Sequence, residues 1–157
     1  MMTDNAIILG IHAAVDTVSI ALVSNDQVLG EYTHGYDYAF IENLMDEVTK
    51  FSVSLGVDLN DIKAVSVVNG PGSYTGLRLS VSVAKSMGQV LDIPVYPIAT
   101  YDVLMSSLEL QEGVYIAMIP ARSKEVNVRL FRVMATGVEP LTDHMSWSYD
   151  HMATQLA

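Results

Sequence analysis

The chain has 157 residues, half of them hydrophobic, with 18 acidic against 8 basic side chains and a formal charge of −10. That length supports one domain with a sizeable core. Its apolar runs are far too short to cross a bilayer, and no basic stretch leads into an apolar one as in a secretory leader. The acidic balance repels phosphate backbones and speaks against direct nucleic-acid binding; the lack of cysteine excludes disulfides and thiolate metal sites and fits a reducing cytoplasm.

In chain order, residues 7–12 and 18–24 read as strands rich in β-branched residues, with a bend near Asp16-Thr17. Asn25-Asp26 is a turn signal, and 27–33 reads as a third strand completing an antiparallel meander. From about Tyr38 to Leu55, Phe40, Ile41, Leu44, Met45, Val48, Phe51 and Leu55 recur at three and four, an amphipathic helix stopped by Gly56. A strand at 64–68 is followed by a glycine turn and a helix over 76–91, ended by Asp92 and Pro94. Residues 95–98 form a short strand. Thr100 is the expected cap of a third helix, about Tyr101 to Glu109. Residues 114–119 and 126–134 read as two more strands. After Pro140 the pattern weakens, with a short helix expected over 147–157. Three strands, a helix, a strand, a helix and a strand give the order of a ribonuclease-H-like lobe of the actin, Hsp70 and sugar-kinase class. The expected division is a first lobe over 1–110 and an incomplete second lobe over 111–157.

The densest local signal is Asn69-Gly70-Pro71-Gly72-Ser73-Tyr74-Thr75-Gly76-Leu77-Arg78. Gly70, Gly72 and Gly76 permit backbone angles that a Cβ forbids, Pro71 fixes one angle, and Ser73 and Thr75 are candidate caps for the helix that follows. With Arg78, these residues make either a tight structural turn or an anion-binding corner. The spacing is neither the dinucleotide fingerprint nor a Walker loop. Along the next helix Gly76, Ser80, Ala84 and Gly88 recur every four residues, a smooth edge that another helix can approach closely. That edge packs either on the protein's own sheet or on a partner, with Phe40, Leu44 and Val48 of the first helix beside it.

Other chemistry is sparse. His34, His144 and His151 form no pair at metal-ligand spacing, and Ser73 and Ser80 have no histidine nearby in sequence. Asp37, Glu42, Asp46 and Glu47 read as a solvated helix face. Met2, Met45, Met87, Met105, Met118, Met134, Met145 and Met152 read as core fillers, or as an adaptable contact surface. Arg122, Lys124, Arg129 and Arg132 lie close in sequence, but strand alternation divides their charge between two faces.

The Gly-Pro-Gly-Ser-aromatic-Thr-Gly-Leu-Arg run resembles the signature of the bacterial TsaB (YeaZ) family, the non-catalytic partners of the synthase subunit that makes threonylcarbamoyladenosine in tRNA. Ile8-Leu9-Gly10-Ile11, Val18-Ser19-Ile20-Ala21-Leu22, Leu59-Asn60-Asp61-Ile62-Lys63-Ala64, Ile93-Pro94-Val95 and Ala121-Arg122-Ser123-Lys124-Glu125-Val126 match in order, over roughly 7–133. The resemblance implies a scaffold without catalytic or metal-binding residues. It implies docking through the first two helices onto the catalytic paralogue, or onto a second copy when alone. An ATPase-type third subunit and an adenine nucleotide are implied in the complex, with no cofactor held by this chain alone. Two positions depart from the family. His12 stands where such chains show an Asp, and Pro120 replaces a second Asp just before Ala-Arg. An imidazole and a proline supply none of the hard oxygen ligands that magnesium phosphate needs, so one rival reading, a small phosphotransferase or ATPase of the same superfold, is disfavoured; the other rival is a self-dimerising structural module. His12 itself reads as a strand-end histidine rather than a ligand. The resemblance also implies that the family continues past residue 157.

Overall fold

The computed structural model describes residues 6–122 and 124–155; Met2, Ser123 and the last two residues of the expected 147–157 helix lie outside them. The chain divides into two compact units, residues 1–98 and 99–157. The division therefore falls before the third helix, not near residue 110. That helix buries Tyr101 and Met105 and packs on the first strand of the second unit.

The first unit is a five-stranded sheet in the order β3-β2-β1-β4-β5. Strands β1 (Ile7–His12), β2 (Thr17–Ser24) and β3 (Gln27–Gly35) form the expected antiparallel meander, and β4 (Ile62–Gly70) lies parallel to β1. Helix α1 (Tyr38–Glu42), helix α2 (Leu44–Ser54) and helix α3 (Tyr74–Leu91) precede β5 (Val95–Ala99). Alternation puts Leu9 and Ile11, Val18, Ile20 and Leu22, and Val65 and Val67 on one sheet face, where they cluster with Ile41, Leu44, Val48, Ala84 and Met87. Burying each such aliphatic side chain stabilises by roughly 1.5–3 kcal/mol. The opposite face carries Gly10, His12, Ser19, Ala21 and Ser66, which are only partly covered.

The single helix expected over 38–55 is two helices. Asn43 ends one and begins the other, and its side-chain amide donates to the Ala39 carbonyl (2.8 Å), a local bond that competes with helix continuation. Asp37 caps α1 through the Ala39 amide (2.9 Å), and Gly56 takes a positive φ of 70° after α2, as a helix stop requires.

The second unit contains helix α4 (Thr100–Ser106), strands β6 (Gly113–Pro120), β7 (Glu125–Met134), β8 (Gly137–Pro140) and β9 (Met145–Ser148), and helix α5 (Tyr149–Gln155). β7 is central, pairing with β6 on one edge and with β8 and β9 on the other. Thr100 is not the cap of α4. It is the first helical residue and buried, Ala99 stands at the cap position without a side-chain bond, and the helix ends at Ser106. The strand pairing of 145–148 also takes Trp147 out of the expected C-terminal helix, because β7 offers a free edge there.

Candidate functional site

The glycine turn joins β4 to α3, and the chain's own backbone fills it. Ser73 is the helix cap: its Oγ accepts from the Gly76 amide (3.3 Å) and its own amide donates to the Ala14 carbonyl (2.7 Å). Thr75 is inside the helix and does not cap it. Gly70 and Gly72 have φ of 118° and 158°, and a Cβ on Gly72 would collide with the carbonyl of Ala14. A Cβ on Gly76 would collide with the carbonyl of Ala13. The glycines let the 13–14 loop seat against the start of α3. The Ala13 and Ala14 carbonyl oxygens lie against that turn. Tyr36 closes its rim, with its hydroxyl 3.2 Å from Ser73 Oγ. Arg78 is exposed and lies over the Tyr74 ring, 5.8 Å from its centroid. Pro71 follows Gly70 through a cis peptide bond. Of the residues expected to form a structural turn or an anion-binding corner, Gly70, Pro71, Gly72, Ser73 and Gly76 come together between β4 and α3. Sequence reading missed Tyr36 and the two alanine carbonyls; an Ala-Ala pair just after β1 is a weak cue for so close a backbone approach.

His12 ends β1 on the face away from α3, half-buried, and burial pushes its imidazole below the ordinary histidine value. Pro120 ends β6. Among the described residues, no three His, Asp or Glu side chains gather as metal ligands.

The expected docking seam is corrected by burial. Gly76, Ser80 and Ala84 are buried in this molecule's own core, as are Leu44 and Val48. Gly88 backs onto Val95 Cγ2 and the Ile93 carbonyl, and Phe40 is partly buried, stacked on His34 at 5.0 Å. Small residues at every fourth position let α3 pack closely within the molecule, leaving Gly76, Ser80 and Ala84 no surface for a partner. The exposed face of the helix pair is different. Met45, Leu59, Ser86, Met87, Val90 and Leu91 line an open groove of about 260 Å³ between α2 and α3. Val90 is 82 % exposed, and Val53 on α2 is 71 % exposed. The methionines divide accordingly: Met87 and Met105 are core residues, while Met45, Met118 and Met134 are more than a third exposed.

A family model described as TsaD, tRNA N6-adenosine threonylcarbamoyltransferase, matches residues 28–156. The chain belongs to this family. Its relatives carry the TsaB name, so the resemblance read in the glycine motif holds. The tRNA threonylcarbamoyladenosine biosynthesis protein TsaB of Bacillus subtilis is 29 % identical over 125 residues, 80 % of this chain and 55 % of that protein. The Haemophilus influenzae TsaB is 28 % identical over 127 residues, 78 % of this chain and 52 % of that protein. The chain thus spans about half the length of these curated relatives. The solved structure of YeaZ from Pseudomonas aeruginosa superposes with a TM-score of 0.79 at 20 % identity, covering 90 % of this chain and 67 % of that one. The α/β fold is that of YeaZ. The relatives are named as biosynthesis proteins. Among the described residues no helix is long and apolar enough to cross a membrane.

Proposed function

We propose that this chain is a non-catalytic accessory subunit in the formation of threonylcarbamoyladenosine at position 37 of tRNA. It binds the catalytic synthase paralogue, with an ATPase-type third subunit and an adenine nucleotide in the assembled cytoplasmic complex. Alone, it pairs with a second copy through the same face. It neither contacts nucleic acid directly nor holds a cofactor by itself. The observation that carries this reading is the apolar α2–α3 groove with Val90 almost fully exposed, in a chain of charge −10. An uncovered apolar face on an otherwise acidic protein marks a contact surface. The phosphotransferase rival is opposed by the Ala13 and Ala14 carbonyls that occupy the glycine corner.

The test is capture of the synthase paralogue from the same genome. Val90→Glu changes an exposed side chain, so the fold should survive. A carboxylate buried unpaired in an interface typically costs several kcal/mol, enough to weaken association by orders of magnitude. The wild type should capture the paralogue and scatter as a dimer when alone; the variant should be a folded monomer that captures nothing. A folded Val90→Glu protein that still dimerises and still captures its partner would place the contact face elsewhere.

A further inference from the structure

In the second unit, β8 and β9 follow one another along the same edge of β7. Phe131 stands opposite Pro140 and Val128 opposite Met145, so residues 141–144 face only Arg129 and Leu130. The result is a wide bulge, four residues against two. The bulge is tied down: the Leu141 amide donates to the Leu130 carbonyl (2.9 Å), and the Leu130 amide donates to Thr142 Oγ1 (3.1 Å).

The same bulge fixes two nitrogen-bearing side chains. Arg129 donates from Nε to the Thr142 carbonyl (3.0 Å), and its guanidinium lies over the Phe131 ring, 5.4 Å from the centroid. Tyr101, packed beside Phe131 with ring centroids 6.2 Å apart, has its hydroxyl 3.1 Å from Nδ1 of His144. Arg129 is thus tied to the bulge through Thr142, and His144, two residues on, is tied to the buried Tyr101 phenol beside Phe131. Arg129 has used one of its five N–H donors, and among the described residues no carboxylate pairs with it. That is unusual in a chain with 18 acids. Arg132 differs, standing on the other face of β7 and opposite Glu139 in register. A half-buried guanidinium anchored through Nε and one ring face keeps its terminal nitrogens in a fixed fork, the geometry that matches a carboxylate or phosphate edge.

We propose that the 141–144 bulge holds a small oxyanion, a carboxylate or a phosphate, between the terminal nitrogens of Arg129 and the imidazole of His144. Asp143, exposed on the bulge between Thr142 and His144, opposes that anion and sets its affinity.

Sodium phosphate and sodium acetate are titrated into the full chain, each against sodium chloride at equal ionic strength, following amide shifts of Leu130 and Asp143. Saturable shifts are expected. Arg129→Gln and His144→Gln should each weaken binding about tenfold or more, as loss of a charge-assisted contact implies. Arg132→Gln should leave it unchanged, and Asp143→Asn should tighten it. A stronger response to phosphate identifies a tetrahedral anion, a stronger response to acetate a planar carboxylate. Shifts that do not saturate, that chloride reproduces, or that persist in Arg129→Gln overturn the proposal. Should Arg129→Gln fail to fold by circular dichroism, Arg129→Lys and the exposed His144→Gln decide: unchanged affinity in both overturns it.

Discussion

Gly72 and Gly76 are where a single atom matters most. At each, the space a Cβ needs is taken by a backbone carbonyl of the 13–14 loop, which cannot swing aside as a side-chain tip can. Gly72→Val and Gly76→Val should therefore lose stability, by on the order of 1–3 kcal/mol or more, and thermal melts would register a drop of many degrees. An unchanged melt accompanied by loss of ligand binding would instead assign the turn to an anion. His12 yields a pH prediction. Its folded-state value is depressed by burial, so the unfolded chain takes up the proton first as pH falls. Stability is then complete above the ordinary histidine value, near 6.5, and declines below it. His12→Gln should flatten the melting temperature between pH 8 and pH 5. If wild type and variant lose the same stability across that range, another group carries the effect.

At the scale of elements, period was legible and partner was not. The 3.6-residue recurrence in 38–55 and 76–91, and the β-branched runs of β1, β2, β4 and β7, located these elements to within a few residues. The break at Asn43 was not legible, because a single polar residue inside a helical pattern usually points to solvent. The β8–β9 edge was missed because strands of four residues, broken by a bulge, carry too little alternation. The small-residue edge Gly76, Ser80, Ala84 and Gly88 was legible, but it was read as a partner seam, whereas Gly76, Ser80 and Ala84 are buried inside the molecule. What periodicity does not encode is which neighbour it packs on: the Ala13 backbone at Gly76, and Ile93 and Val95 at Gly88. One residue on α2 tests the packing directly. Ser52 is fully buried, and its hydroxyl is the buried side-chain atom found without a hydrogen-bond partner among the described residues. An unsatisfied buried hydroxyl costs about 1–3 kcal/mol, and alanine also favours the helix. Ser52→Ala should raise the denaturation midpoint at unchanged m-value. A lower midpoint would mean the hydroxyl is bonded in solution, most simply through a buried water.

For the whole molecule, fold and family were legible from one motif and the order of strands around it. The groove proposed as the contact face was not, since Val90 and Met45 look like ordinary apolar positions of amphipathic helices until the structure leaves them exposed. The same view of the molecule bears on nucleotide chemistry. The turn between β4 and α3 is packed by the Ala13 and Ala14 carbonyls, and the Ser73 amide already donates to Ala14, so that donor is not free for a phosphate. Beside it, the end of β1 offers the imidazole of His12 where a magnesium site needs carboxylate oxygen. The net charge of −10 adds a general repulsion of polyphosphate at this turn. These three effects act on the same ligand and with the same sign, and the fixed helix cap at Ser73 is already spent on Gly76. With the 141–144 bulge disabled by Arg129→Gln, the isolated protein should therefore give no saturable heat with ATP and magnesium up to millimolar concentration, a ceiling of about −4 kcal/mol on binding at the turn, and no turnover. Binding at micromolar level, or hydrolysis that follows the protein through a final purification step, would require the 13–14 loop to move out of the corner. Gly76→Ala, which displaces that loop, would then alter nucleotide affinity more than it alters the melting temperature.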